Sequence, residues 1–369
     1  MASLLALLSF FLIGSIVVQA AVYPYVIPNA VFGFTDSLSD TGNLKLALPG
    51  AVDADYPPYG MTIGEVTGRF SDGYLIIDFL NTRFTGVMEK PSLARDPSDT
   101  TYASLGFGSA GATVLPQPYP NMNPDILPAQ VAQFLGYQQQ VVSSNATAAR
   151  LFSNALYYIE IGGNDINFAL VPGNLSYESI VQNVIPRVVQ SLKDSIANLH
   201  VNGSAVHFLI FNMPAAGCTP IYLARGKYSA KDELGCVIDA NSLVQAFNEK
   251  IRETVDALRC EYPSANFMYF DFYEASVDFL RNSYELGFVN VDSACCGGGG
   301  DYNCKAGLVG CGCDRTVTPC SDPNKYMSWD GIHYTQHFYG VMADNILRRQ
   351  YIDPPTPLLQ NVPSTCSTY

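Results

Sequence analysis

Residues 31–43 read Val31-Phe32-Gly33-Phe34-Thr35-Asp36-Ser37-Leu38-Ser39-Asp40-Thr41-Gly42-Asn43. The apolar start belongs to a candidate strand over residues 30–34. Ser37 follows it at the carboxyl end, the edge where open α/β sheets hold their ligands. Further candidate strands at residues 103–107, 156–161, 206–211 and 266–270 alternate with longer helical patterns. That alternation is the signature of β-α units around a parallel sheet. Ile180, Val184, Val188, Leu192, Ile196 and Leu199 recur at helical spacing and predict an amphipathic helix on that sheet. Helices are also expected at about 71–80, with Ser71 as N-cap, and at 126–140, 241–260 and 334–349. No repeat, linker or charge block divides the chain, so residues 21–369 read as one domain.

The 369 residues (40.1 kDa) include 48% hydrophobic and only 14% charged side chains, enough for a large core and incompatible with disorder. A net charge of −13 repels a phosphate backbone and sets nucleic-acid binding aside. Residues 1–20, MASLLALLSFFLIGSIVVQA, read as a signal peptide whose Val18-Gln19-Ala20 end suits cleavage. The run lacks Lys and Arg, so a retained anchor stays open as the alternative. Ten cysteines and sequons at Asn145, Asn174 and Asn202 predict a secreted, glycosylated protein. No later stretch reaches eighteen apolar residues, so a soluble mature chain without an integral span is expected.

Residues 116–128 and 294–323 read as loops, the second with a four-glycine run and six cysteines. Their spacing fits no standard zinc pattern, and disulfides are expected instead, with Cys218–Cys236 a further plausible pair. Gly106-Phe107-Gly108-Ser109-Ala110-Gly111 spells a dinucleotide fingerprint, but five prolines follow where a helix should open. His333 and His337 stand four apart, with Tyr334 where a zinc protease would carry its glutamate. His337, His200 and His207 read as packing or loop residues, and no metal or cofactor is called for.

What remains is nucleophilic. Asp330-Gly331-Ile332-His333 sets a carboxylate three residues before an imidazole, close enough to accept from Nδ1 and free Nε2 as a base. No Gly-x-Ser-x-Gly elbow exists, which argues against an ordinary α/β-hydrolase and leaves Ser37 as the candidate nucleophile. Gly162-Gly163-Asn164-Asp165 would bring an amide donor to the same sheet edge.

Together with Pro57-Pro58-Tyr59-Gly60, Gly68-Arg69-Phe70-Ser71-Asp72-Gly73, Gly111-Ala112-Thr113, Gly217-Cys218-Thr219-Pro220 and Trp329-Asp330-Gly331-Ile332-His333, these segments resemble the plant GDSL lipase/esterase family of the SGNH hydrolases. The resemblance runs from Val31 to about Arg349. It implies a three-layer α/β/α sandwich around a five-stranded parallel sheet. It also implies Ser37 as nucleophile, His333 as base, Asp330 as its orienting carboxylate, and an oxyanion hole of the Ser37 amide, the Gly111 amide and the Asn164 side chain.

Two departures stand out: Thr35 replaces the glycine of the Gly-Asp-Ser-Leu motif, and Gly106-Phe107-Gly108 stands where Asn-Phe-Ala is usual. Thr35 is expected to crowd the nucleophile turn or the acyl pocket, or else merely to pack. The reading is a secreted serine esterase or acyltransferase acting on a small-molecule or lipid ester, with water or an alcohol as acyl acceptor. Its rival is a catalytically silent binding protein with the same fold.

Overall fold

The computed structural model describes residues 27–98, 104–117, 125–171 and 173–355; residues 1–20, expected to be a signal peptide, lie outside them. In chain order the strands are β1 (Val31–Thr35), β2 (Lys90–Pro91), β3 (Leu105–Gly106), β4 (Leu156–Glu160), β5 (His207–Phe211), β6 (Asn266–Phe270), β7 (Asn290–Ala294), β8 (Tyr326–Ser328) and β9 (Ile352–Asp353). The sheet order is β2-β3-β1-β4-β5-β6-β9, and β7 pairs separately with β8. All pairings in the large sheet are parallel except β6 with β9. The expected five strands form its body, and the two-residue β2 and β9 extend its edges.

Every residue of β1, β4, β5 and β6 is buried, which is why these strands read as unbroken apolar runs. Alternation along each strand divides the side chains between two layers. Phe32, Phe34, Tyr157 and Phe208 meet helices Leu127–Ser144, Ile185–Gly203 and Ile238–Glu261. Val31, Tyr158, Leu209 and Phe270 meet helices Ile76–Thr85, Phe272–Arg281 and Gln336–Leu347. The result is a three-layer sandwich. Phe32 contacts the rings of Phe134 and Phe152 at 5.1 and 5.6 Å, and truncating such a core ring costs about 3–5 kcal/mol.

The helix expected from residue 71 starts five residues later, at Ile76. Ser71 is not its cap, because its hydroxyl donates to Tyr334 O; Asp78 reaches back to accept from Leu75 N instead. The amphipathic segment opens with a π-turn over Ile180–Val184 before the regular helix Ile185–Gly203. Four disulfides join described residues: Cys218–Cys236, Cys295–Cys320, Cys296–Cys313 and Cys304–Cys311. No helix among the described residues is long and apolar enough to cross a membrane.

Candidate active site

The chain crosses from β1 to β3 on one side and returns to β4 on the other, so β3, β1 and β4 end side by side at a switch point of the sheet. Three loops leave that edge together: the one carrying Ser37, the one from Phe107 to Gly111, and the one carrying Asn164. Pairing of β1 with β3 ends where Phe107 N donates to Gly33 O at 2.7 Å. Beyond it Thr35 would lose both main-chain partners on that side. Gln130, reaching in from its helix, replaces them: Thr35 N donates to Oε1 at 3.0 Å, and Nε2 donates to Thr35 O at 2.9 Å.

Asp40 ties the loops together by accepting from Gly42 N and Asn43 N on one oxygen and from Leu44 N and Ala110 N on the other. Asn43 Nδ2 donates to Gly106 O and Gly108 O at 2.8 and 2.7 Å. The two departures from the family motif meet here. A Cβ added to Gly108 would sit 1.8 Å from Thr35 Oγ1. Thr35, only 1% exposed, therefore fills the space that Gly108 vacates and is buried in the protein.

From β8 the chain passes through a tight turn in which Ile332 N and His333 N both donate to Asp330 Oδ1, at 3.0 and 2.8 Å. The turn aims the imidazole at Ser37. His333 Nδ1 lies 2.6 Å from Asp330 Oδ2, and His333 Nε2 lies 2.8 Å from Ser37 Oγ. Burial pushes the Asp330 carboxyl up, but the facing His333 and the amide bonds outweigh it and hold the group below its usual value. An ionised Asp330 keeps the proton on Nδ1, so Nε2 accepts from the serine hydroxyl. Hydroxyl, imidazole and carboxylate thus stand in the order that moves a proton off Ser37.

Asn164 Nδ2 donates to Ala112 O at 2.9 Å, joining its loop to the one that carries Gly111. Gly111 adopts a positive φ of 81°, which turns the peptide in a way a side chain would oppose. Asp165 braces the junction by accepting from Val114 N and Leu115 N, and burial pushes its carboxyl up to about 7 despite both amides. Under the serine turn lies a further carboxyl that sequence reading missed. Glu160 bonds Ser39 Oγ and Tyr158 OH, while its carbonyl accepts from Asp36 N. Burial pushes Glu160 up to about 8 and Asp36 up to about 6. A glutamate closing an apolar run was the available signal.

The remaining histidines stay apart from the serine. His337 Nε2 donates to Leu286 O, His200 Nδ1 to Ala205 O, and His207 is buried in β5, where desolvation lowers it to about 4. Gly106 and Gly108 are spent on close packing against Glu89 and Thr35. Asn145, Asn174 and Asn202 are all exposed, the last within the final turn of its helix.

Residues 31–346 match the family model described as GDSL-like Lipase/Acylhydrolase. The chain is 33% identical over 336 residues to the GDSL esterase/lipase LIP-4 of Arabidopsis thaliana, covering 89% of this chain and 87% of that protein. It is 32% identical over 357 residues to the GDSL esterase/lipase ACHE of Zea mays, covering 90% and 88%. It is also 32% identical over 350 residues to the GDSL esterase/lipase ENOD8 of Medicago truncatula, covering 89% and 88%.

Proposed function

The chain belongs to the GDSL-like lipase/acylhydrolase family and is an enzyme of ester hydrolysis or acyl transfer, and from that premise we propose that Ser37, His333 and Asp330 are its catalytic triad. The observation that carries the reading is the unbroken chain of contacts from Ser37 Oγ through the imidazole to Asp330, 2.8 and 2.6 Å long. Ser37 attacks the ester carbonyl as His333 Nε2 takes its proton. The resulting oxyanion is held by the amides of Ser37 and Gly111 and by the Asn164 side chain, whose second N–H is not needed for Ala112. His333 then protonates the departing alcohol, leaving an acyl-Ser37 ester. Water or a second alcohol attacks that ester through the same base.

Secretion and glycosylation belong to the same proposal. They rest on the apolar segment at residues 1–20, the four disulfides and the exposed sequon asparagines. Labelling by a fluorophosphonate, alongside hydrolysis of short and long p-nitrophenyl esters with and without an alcohol acceptor, tests the mechanism and assigns the acceptor. A Ser37→Ala protein that still labels and turns over would overturn it.

A further inference from the structure

Resting on the catalytic reading of Ser37, His333 and Asp330, we infer that Tyr59 is a positioning residue that holds the Asp330 carboxylate and sets the basicity of His333. The Tyr59 hydroxyl donates to Asp330 Oδ2 at 2.8 Å across 271 residues of sequence. Oδ2 is the oxygen that also faces His333 Nδ1, while Oδ1 takes the two amides of the turn. A carboxylate offers about four lone-pair sites, and here four donors fill them, so the plane of the group is fixed and one site alone is left to the imidazole. The phenol is suited to this task. It is 3% exposed, and burial beside Asp330 drives its ionisation far upward, so it remains a donor whenever the enzyme is active.

The ring is held independently of the hydroxyl. It meets Trp329 edge-on at 5.8 Å and Phe70 edge-on at 6.0 Å, and Phe70 in turn lies 5.0 Å from the His333 ring. Tyr59, Trp329 and the Cys295, Cys296 and Cys313 sulfurs share one buried cluster, so the hydroxyl approaches Asp330 from a braced wall. Asp36 on the serine side and Asp53 beside Tyr59 are the other carboxyls near this group, and no hydrogen bond joins either to Asp330. The bond from Tyr59 draws charge from Oδ2. Without it the carboxylate attracts a proton on His333 more strongly, so the imidazole stays protonated to higher pH and is a poorer base at neutrality.

The test is Tyr59→Phe in the full chain, which removes one oxygen and keeps both ring contacts. With a p-nitrophenyl ester, kcat should fall on the order of tenfold with KM nearly unchanged, and the acid limb of kcat/KM against pH should move upward. The imidazole titration of His333, followed by NMR in both proteins, should move in the same direction whether or not a turnover assay succeeds. In an Asp330→Asn background the same change should have little further effect, because Tyr59 acts through the lost charge. An unmoved His333 titration, or a full additional loss in the Asp330→Asn background, would overturn the inference. If Ser37→Ala retained activity, the triad reading would fail instead, and the NMR titration would still decide the role of Tyr59.

Discussion

The Thr35–Gly108 contact should reveal itself as a strong coupling in a double-mutant cycle. Adding a methyl at Gly108 puts Cβ 1.8 Å from Thr35 Oγ1, 2.8 Å from its Cβ and 2.9 Å from its amide nitrogen. The loop cannot simply retreat, since Asn43 holds Gly106 O and Gly108 O, and Gln130 holds Thr35. Overpacking of this kind costs about 1–3 kcal/mol, and the close approach to main chain puts Gly108→Ala near the top of that span. Thr35→Gly alone loses a buried methyl and gains backbone freedom, at a cost of about 1–2 kcal/mol. Part of this is returned, because Thr35 Oγ1 is buried without a hydrogen-bond partner.

In the exchanged pair, Thr35→Gly with Gly108→Ala, the added methyl occupies the space the threonine leaves. The double variant should then cost only about 1 kcal/mol more than Thr35→Gly, for the retained approach to the amide nitrogen of residue 35, a coupling of roughly 2 kcal/mol. Urea denaturation of the four proteins measures it, and additivity within about 0.5 kcal/mol would refute the argument. The same geometry commits Thr35 to packing against Gly108. Hydrolysis and alcohol transfer should therefore divide in the same ratio in wild type and Thr35→Gly.

Ser37→Ala should abolish turnover while leaving the melting temperature within a few degrees, His333→Ala should abolish it and also lower the melting temperature because the buried Asp330 carboxylate loses its partner, and Asp330→Asn should lose somewhat less activity; thermal melts with probe labelling check this. Stability should fall as pH rises from about 6.5 to 8. The stabilisation from a Glu160 carboxyl held at about 8 is complete below its ordinary 4.5 and lost through 8, at about 1.4 kcal/mol per pH unit per proton. His207, lowered to about 4, works the other way only below 6.5. Denaturant midpoints should flatten between about pH 7 and 8 in Glu160→Gln, above the range where Asp165 also titrates, and an unchanged slope there would place the proton elsewhere. Reduction should cut activity without releasing a metal, because a Cβ on Gly331 would lie 2.0 Å from Cys311 Sγ, so the Cys304–Cys311 bridge packs on the Asp330 turn. Esterase assays after graded reductant, with metal analysis of the native protein, test both halves.

The body of the sheet was legible because burial on both faces leaves an unbroken apolar run, as in β4 and β6. The edge strands β2 and β9 were not, since two residues carry no period. Ser71 illustrates a limit of local rules. A serine before an apolar stretch reads as a cap, yet its hydroxyl is claimed by Tyr334 O from the far end of the chain. Gln130 escaped for a similar reason, because nothing in a helical pattern says that one polar side chain turns inward to complete a strand. Ser37, His333 and Asp330 were readable as residue types in sequence blocks. The contact of Tyr59 with Asp330 was not, because it exists only after 271 residues of chain have folded back.

The same folding sorts the carboxyls of the edge by charge. Asp330 is surrounded by donors and stays ionised beside His333, where, on the proposed mechanism, a negative charge supports the imidazolium formed when Ser37 gives up its proton. Glu160 and Asp165, beneath and beside the serine turn, meet burial that their hydrogen bonds do not fully offset, and both are pushed up, to about 8 and 7. A proton on Glu160 lets it bond Ser39 and Tyr158 without placing a second full charge under the turn. That distinction matters for the oxyanion of the proposed mechanism, since an ionised carboxylate below Ser37 would oppose the charge that the amides would hold there. Environments that drive neighbouring acids apart in this way leave one anion beside His333 and raise the acids around the serine turn, Glu160 the furthest.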